Sequence, residues 1–95
     1  MGEYSIRLSK GAVKDLKKME PALRDFIYNR IYEIAEDPYS NKKLTGVFKE
    51  FRSHHSKFRG VEYRIIYFVD EEGRLVIIAL VGTRENIYKE LARRL

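Results

Sequence analysis

Four residues in the second half of the chain have side chains that together suit chemistry on a phosphodiester: Arg52, Arg64, Arg84 and Tyr88. Fixed guanidinium groups stabilise the negative charge that grows on a phosphodiester in its transition state, without needing a metal ion. A tyrosine beside them can act as a general acid or base. The substrate would be RNA, because its 2′-hydroxyl supplies an internal nucleophile. Taken singly, an arginine more commonly forms a salt bridge and a tyrosine more commonly packs, so the hypothesis requires that the fold bring the four together.

The segment 63–84, YRIIYFVDEEGRLVIIALVGTR, must position the arginines. Two runs rich in Val, Ile, Tyr and Phe flank a short loop in which Gly73 can take a positive φ, and this predicts a β-hairpin of two long strands. Arg64 shares one strand face with Ile66 and Phe68, and the opposite face is also apolar, so both faces need cover. Because an unpaired buried charge is costly, Arg64 must find an anionic partner, reach the rim of the sheet or face a cleft.

Apolar periodicity and helix-breaking residues predict the other elements. A weak alternation favours a first strand over residues 3–8, and Ser9 can cap a helix that begins at Lys10. Glu20-Pro21 then separates this helix from an amphipathic helix over about residues 21–36. The later predictions are a strand from 47 to about 54, a polar loop or turn over 53–60, a last strand over 75–81 and a C-terminal helix over 85–95.

These elements predict one α+β domain over residues 1–95, in the order β-α-α-β-β-β-α. A twisted, mainly antiparallel four-stranded sheet carries the N-terminal helical hairpin on one face, and the C-terminal helix lies on or beside the other face. Strands two, three and four would form a meander, which puts Arg52, Arg64 and Arg84 on neighbouring strands.

The net charge of +5 is concentrated in residues 42–64, which hold seven basic residues against two acidic ones. This basic segment, interleaved with aromatic residues, favours binding of RNA or of an acidic protein, although surplus lysines also serve solubility. The candidate RNA-binding residues are Lys49, Arg52, His54, His55, Lys57 and Arg59. The two histidines are either a solvated pair or include one proton shuttle. In an extended strand they would point to opposite sides, so a shared metal ion is not expected, and we predict no cofactor.

The chain has no cysteine, no signal-like apolar segment near Met1 and no apolar run of membrane-spanning length. Disulfides and thiolate metal sites are therefore excluded. These features predict a soluble protein of the cytoplasm with no membrane partner.

Three stretches, DPYSNKKLTG, YRIIYFVD and VGTRENIY, together with the two-helix start, resemble the RelE/ParE superfamily of toxins from toxin-antitoxin modules, and more closely its RelE branch. The resemblance implies that Arg64 and Arg84 bind the scissile phosphate and that Tyr88 takes part in proton transfer and base stacking. It also implies cleavage of mRNA in the ribosomal A site, without a metal ion, to give a 2′,3′-cyclic phosphate. The implied partners are the ribosome with its mRNA and a cognate acidic antitoxin, which neutralises the toxin in a hetero-oligomer.

The resemblance leaves some assignments open. RelE enzymes carry a pair of lysines on the second strand, for which Lys49 and Arg52 are the candidate counterparts here. ParE branches share the fold and inhibit DNA gyrase instead, so a gyrase-binding toxin is one alternative. A family member that only binds an antitoxin is another.

Overall fold

The computed structural model describes residues 4–83 and 87–94, which contain five strands and three α-helices. The strands are β1 (Ser5–Leu8), β2 (Lys42–Lys43), β3 (Arg52–Phe58), β4 (Val61–Asp70) and β5 (Leu75–Thr83). The helices are α1 (Lys10–Lys17), α2 (Pro21–Glu36) and α3 (Ile87–Arg94), and a short 3-10 helix covers Gly46–Phe48. The strands form one sheet in the order β1-β5-β4-β3-β2, in which only β1 and β5 pair in parallel.

The predicted helical hairpin is confirmed. The Ser9 hydroxyl oxygen accepts a hydrogen bond from the Ala12 N–H at 3.0 Å and so caps α1. Pro21 is the first residue of α2. An N–H at this position has no partner within the helix, so the proline costs no hydrogen bond. The apolar sides of both helices pack on one face of the sheet, against a core that includes Ile65 and Tyr67 of β4.

The other face of the sheet is covered by α3. Ile87 and Leu91 of this helix pack with Ile66 of β4 and Leu80 of β5. Adjacent residues of β4 thus enter different cores, and both Ile65 and Ile66 are fully buried. The prediction that the central hairpin is covered on both faces is therefore confirmed. Residues 85, 86 and 95 of the predicted C-terminal helix lie outside the described residues.

The sheet has five strands rather than the predicted four. The additional strand is β2, in which Lys42 pairs with Ser53 and Lys43 pairs with Arg52. Two residues are too few to produce an alternating pattern, so apolar periodicity cannot reveal such a strand.

The predictions for residues 47–60 are wrong in detail. Val47 lies in the 3-10 helix and is 84% exposed, and the predicted polar loop over 53–60 is mostly strand β3. Because most side chains of β3 are polar, the sequence lacks the apolar alternation that would predict this strand. The turn itself needs only Arg59 and Gly60, whose φ values of 52° and 83° fit a two-residue hairpin loop.

Within the described ranges, 4–83 and 87–94, no helix is both long and apolar enough to cross a membrane.

Candidate active site

Arg64 and Tyr88 are in direct contact on the α3 side of the sheet. Arg64 Nη1 donates a hydrogen bond of 2.8 Å to the Tyr88 hydroxyl oxygen, and its guanidinium carbon lies 5.7 Å from the centre of the Tyr88 ring. The Arg64 side chain is 12% exposed, whereas Tyr88 is 41% exposed. The pair therefore consists of a cation fixed by the sheet and a phenol that solvent and ligands can reach. Arg84, the other arginine assigned to this site, lies outside the described residues.

Glu62 is the anionic partner that a central-strand arginine requires. Its Oε2 atom lies 3.5 Å from Arg64 Nε and 3.3 Å from Nδ1 of His55. His55 is directly opposite Arg64 in the β3–β4 ladder, so the two side chains share one face. The contact between Glu62 and Arg64 is long for a charge-assisted hydrogen bond, and Nε makes no hydrogen bond within the described residues. Glu62 therefore holds Arg64 in place without fully satisfying its donors.

A cleft of about 730 Å³ opens beside this pair, between the segment 40–48, strand β3 and helix α3. Its lining residues include Lys42, Lys43, Phe48, Ser53, His55 and Tyr88. Both lysines are exposed, and among the described residues no acidic side chain lines the cleft. The rings of Phe48 and Tyr88 lie 6.5 Å apart at an angle of 32°. The cleft thus combines cationic walls with two aromatic surfaces, a combination that suits single-stranded nucleic acid.

Lys42 and Lys43 also lie at this cleft, although they were not among the predicted RNA-binding residues. They form β2, and both line the cleft. Their adjacency inside the basic segment is the signal in the sequence, whereas the resemblance gives Lys49 and Arg52 as the counterparts of the paired lysines. Only the pairing of β2 with β3 shows that the lysines reach the same cleft as Tyr88.

Arg52 and His54 lie on the opposite face of the sheet from Arg64. Arg52 Nη1 donates hydrogen bonds to the backbone oxygens of Asn41 at 2.7 Å and Tyr39 at 3.3 Å. His54 Nδ1 lies 3.2 Å from Asn41 Oδ1, and burial lowers the pKa of His54, with Arg30 adding to the effect. Both residues therefore fix the segment 39–41, which leads directly into the lysines of β2.

The other predicted RNA-binding residues lie around the edge of β3. Lys49 follows the 3-10 helix and is exposed, and Lys57 is exposed opposite Glu62. Arg59 lies in the β3–β4 turn, where its Nη1 is 3.5 Å from Oε2 of Glu20 and its guanidinium stacks on Phe58. None of the three is among the residues that line the cleft.

The two histidines are consecutive residues of β3. His54 pairs with Ile65 and His55 pairs with Arg64, so their side chains face opposite sides of the sheet. In the part of the chain that the structure describes, no group of three His, Asp or Glu side chains could hold a metal ion.

Residues 6–92 match the model of the ParE-like toxins of type II bacterial toxin-antitoxin systems, and the chain belongs to this family. The predicted superfamily is confirmed, and the protein is a toxin of this type.

Individual relatives carry RelE names. The chain is 27% identical to the mRNA interferase toxin RelE of Escherichia coli K12, over 97% of both chains. A double arginine-to-alanine mutant of E. coli RelE in the free state superimposes with a TM-score of 0.76 at 27% identity, covering 98% of each chain. The RelBE2 toxin-antitoxin complex of Mycobacterium tuberculosis gives 0.73 at 26% identity, covering 86% of this chain and 92% of the other.

Proposed function

We propose that this toxin is a metal-independent, ribosome-dependent endoribonuclease that cleaves mRNA in the ribosomal A site and so inhibits translation. The observation that carries the proposal is the hydrogen bond between Arg64 and Tyr88 beside a cleft lined by two lysines. A protein-binding surface has no need of a phenol held by a fixed guanidinium next to paired cations. The names of the E. coli and Shigella flexneri relatives, both mRNA interferases, support the same chemistry.

Cleavage forms a bond between the 2′-oxygen and phosphorus, and breaks the bond between phosphorus and the 5′-oxygen. Arg64 and Arg84 stabilise the charge on the phosphoryl oxygens as this occurs. The Tyr88 oxygen accepts a hydrogen bond from Arg64, so its own O–H can donate. Tyr88 therefore protonates the leaving 5′-oxygen, and its ring offers a surface on which an unstacked base can lie.

His55 is the histidine that we assign to the other proton transfer, removal of the 2′-hydroxyl proton. It lines the cleft, whereas His54 lies on the far face. Glu62 Oε2 lies 3.3 Å from Nδ1 of His55, which favours the tautomer with the proton on Nδ1. Nε2 then carries the lone pair that a general base needs.

The basic residues have two roles in this proposal. Lys42 and Lys43 bind phosphates of the strand in the cleft, and Lys49, Lys57 and Arg59 extend the positive surface toward ribosomal RNA. Arg52 and His54 act through the segment 39–41 and hold the lysines in place.

The proposed partners are the ribosome with its mRNA, in the cytoplasm, and an acidic antitoxin in a hetero-oligomer. Solved complexes of RelBE from E. coli and RelBE2 from M. tuberculosis support an antitoxin for this chain. The basic, partly apolar surface around the cleft suits an acidic segment that folds on binding.

Primer extension on an mRNA in a reconstituted translation system tests the proposal. Wild type should give codon-phased cuts, and Arg64→Ala should reduce the cleavage rate on the order of 10²–10³-fold, as loss of one transition-state donor does. Arg74→Ala is the matched control, because Arg74 is 48% exposed in the β4–β5 turn. Full activity of a folded Arg64→Ala protein would refute the assigned role.

The second candidate is a toxin that inhibits DNA gyrase, which the match to the ParE-like family model favours. In that case the mRNA stays intact in the same assay and purified gyrase is inhibited by the wild-type protein. A protein that does neither but binds its antitoxin would be a family member without its own toxic activity.

A further inference from the structure

The described part of the helix that carries Tyr88 is too short to hold its position alone. It has eight residues, fewer than the roughly 12–15 that an isolated helix needs to be even marginally stable in water. Ile87 and Leu91 bury its apolar side. The next position on that side, seven residues after Ile87, is Arg94. The last turn of α3 therefore presents a guanidinium to the protein where an apolar side chain would be expected.

Asp15 of α1 binds this guanidinium with both carboxylate oxygens. Arg94 Nη2 donates to Oδ1 at 2.9 Å, and Nη1 donates to Oδ2 at 3.0 Å and to the backbone oxygen of Ala79 at 2.8 Å. The side chains of Asp15 and Arg94 are only 15% and 23% exposed. A bidentate, largely buried arginine–carboxylate pair has a fixed geometry that exposed ion pairs lack.

The sheet provides the same carboxylate with a third donor. The Val81 N–H donates to Asp15 Oδ2 at 2.9 Å. This donor is available because the β4–β5 register shifts between Ile66, which pairs with Leu80, and Tyr67, which pairs with Ile78. One carboxylate thus joins α1, the irregular part of β5 and the end of α3.

Helix α1 is shaped to receive Arg94. A Cβ atom at Gly11 would lie 2.8 Å from Arg94 Nη1 and 2.9 Å from its guanidinium carbon, which is closer than real contacts allow. The missing side chain of Gly11 provides the space in which the guanidinium reaches Asp15.

We propose that Asp15 and Arg94 are positioning residues for the nuclease reaction, because their ion pair fixes the end of α3 and thereby holds Tyr88 against Arg64. This inference rests on the proposed function. Tyr88 and Arg94 are six residues apart, about 9 Å along a helix. The apolar contacts of Ile87 and Leu91 hold α3 on the sheet but do not fix its rotation about its own axis. The ion pair at its C-terminal end fixes that rotation, which places the Tyr88 hydroxyl 2.8 Å from Arg64.

A double-mutant cycle separates positioning from general stability. Asp15→Asn, Tyr88→Ala and the double variant are compared in single-turnover cleavage at varied ribosome concentration. Asp15→Asn should lower kcat, leave KM unchanged and lose no more activity than Tyr88→Ala. The double variant should match Tyr88→Ala, because Asp15 acts only through the Tyr88 side chain. If the activity losses of the two single variants multiply in the double variant, the inference is refuted. Arg93→Gln is the matched control, since Arg93 is 74% exposed and its ion pair is with Glu90 of the same helix.

Hydrogen exchange provides a readout that does not depend on cleavage. Asp15→Asn should speed exchange of the α3 amides by about tenfold or more, or about 1.4 kcal/mol of local stability, while the amides of β4 stay protected. If the wild-type protein cuts no mRNA but Asp15→Asn speeds amide exchange in α3 alone, the nuclease proposal fails, whereas the role of Asp15 in holding α3 is confirmed. Unchanged exchange in α3 would refute the anchoring. If Asp15→Asn does not fold, Arg94→Gln replaces it, because Asp15 then keeps its bond from the Val81 N–H.

Discussion

Removal of one hydroxyl from the core should weaken both the fold and the cleft. Tyr67 is completely buried, and its hydroxyl donates to the Pro38 backbone oxygen at 2.7 Å and accepts from Asn41 Nδ2 at 3.1 Å. Burial raises the pKa of Tyr67, so the hydroxyl stays protonated at neutral pH and remains a donor. Tyr67→Phe keeps the ring in the core between the sheet and the helical hairpin, and deletes only these two hydrogen bonds.

The expected loss follows from the groups left without partners. A buried polar group that loses its hydrogen bond costs about 1–3 kcal/mol. Tyr67→Phe leaves the buried Pro38 carbonyl without this partner, whereas Asn41 is half-buried at the cleft, where water can replace its lost bond. A total loss of about 2 kcal/mol should lower the Tm by roughly 8–16 °C, since 1 kcal/mol shifts the Tm of a domain of 60–100 residues by about 4–8 °C. Asn41 directly precedes Lys42, so the same change should raise KM for mRNA cleavage and leave kcat nearly unchanged.

Urea and thermal unfolding measure the stability of Tyr67→Phe, and the reconstituted cleavage assay measures its KM. Tyr32→Phe is the control, because Tyr32 is 59% exposed on α2 and should be neutral. A stability loss for Tyr67→Phe smaller than about 0.5 kcal/mol, which is typical of surface changes, would refute the idea that this hydroxyl anchors the segment before β2.

Two further predictions concern the basic residues. Replacing Lys42 and Lys43 together by alanine should weaken binding of the ribosome–mRNA substrate and make cleavage less sensitive to salt, because fewer counterions are released on binding; a rate measured against salt concentration checks this. The pKa of His54 is lowered by burial, so the unfolded state binds its proton first as pH falls. The free energy of unfolding should therefore decline below pH about 6.5, by at most about 1.4 kcal/mol per pH unit from this group, and His54→Gln should flatten that slope in urea titrations.

The sequence predicted those elements whose side chains show a clear apolar period. The two strands of the central hairpin are apolar on both faces, and α2 has a continuous apolar stripe bounded by Pro21 and Asp37-Pro38. The order of these elements, and the packing of other elements on both faces of the hairpin, could therefore be predicted. Strand β3 could not be predicted in this way, because its buried and half-buried positions include small polar side chains such as Ser53 and Ser56. Its register is set by the partner strand β4 rather than by its own hydrophobicity.

Prediction of the candidate site had a similar limit. The cost of an unpaired buried charge predicts that Arg64 finds an anion, reaches the rim or faces a cleft, and the structure places it beside Glu62 and the Tyr88 hydroxyl at the cleft. Spacing along the chain could not show that Lys42 comes beside Tyr88, because two long-range contacts, β2 on β3 and α3 on the sheet, bring them together. The roles of these residues stay predictions.

Unequal cover of the two sheet faces explains why the cleft lies where it does. Helix α2 has 16 residues and spans about 24 Å, whereas α3 has eight and spans about 12 Å. Strand β4, with ten residues, is about 33 Å long. Within the described residues, α3 covers the apolar part of its face, around Ile66, and the cleft opens at the edge of this helix, beside Tyr88. The position of α3 therefore sets both the edge of the second core and the edge of the cleft, and a change that moves this helix alters the site without touching Arg64.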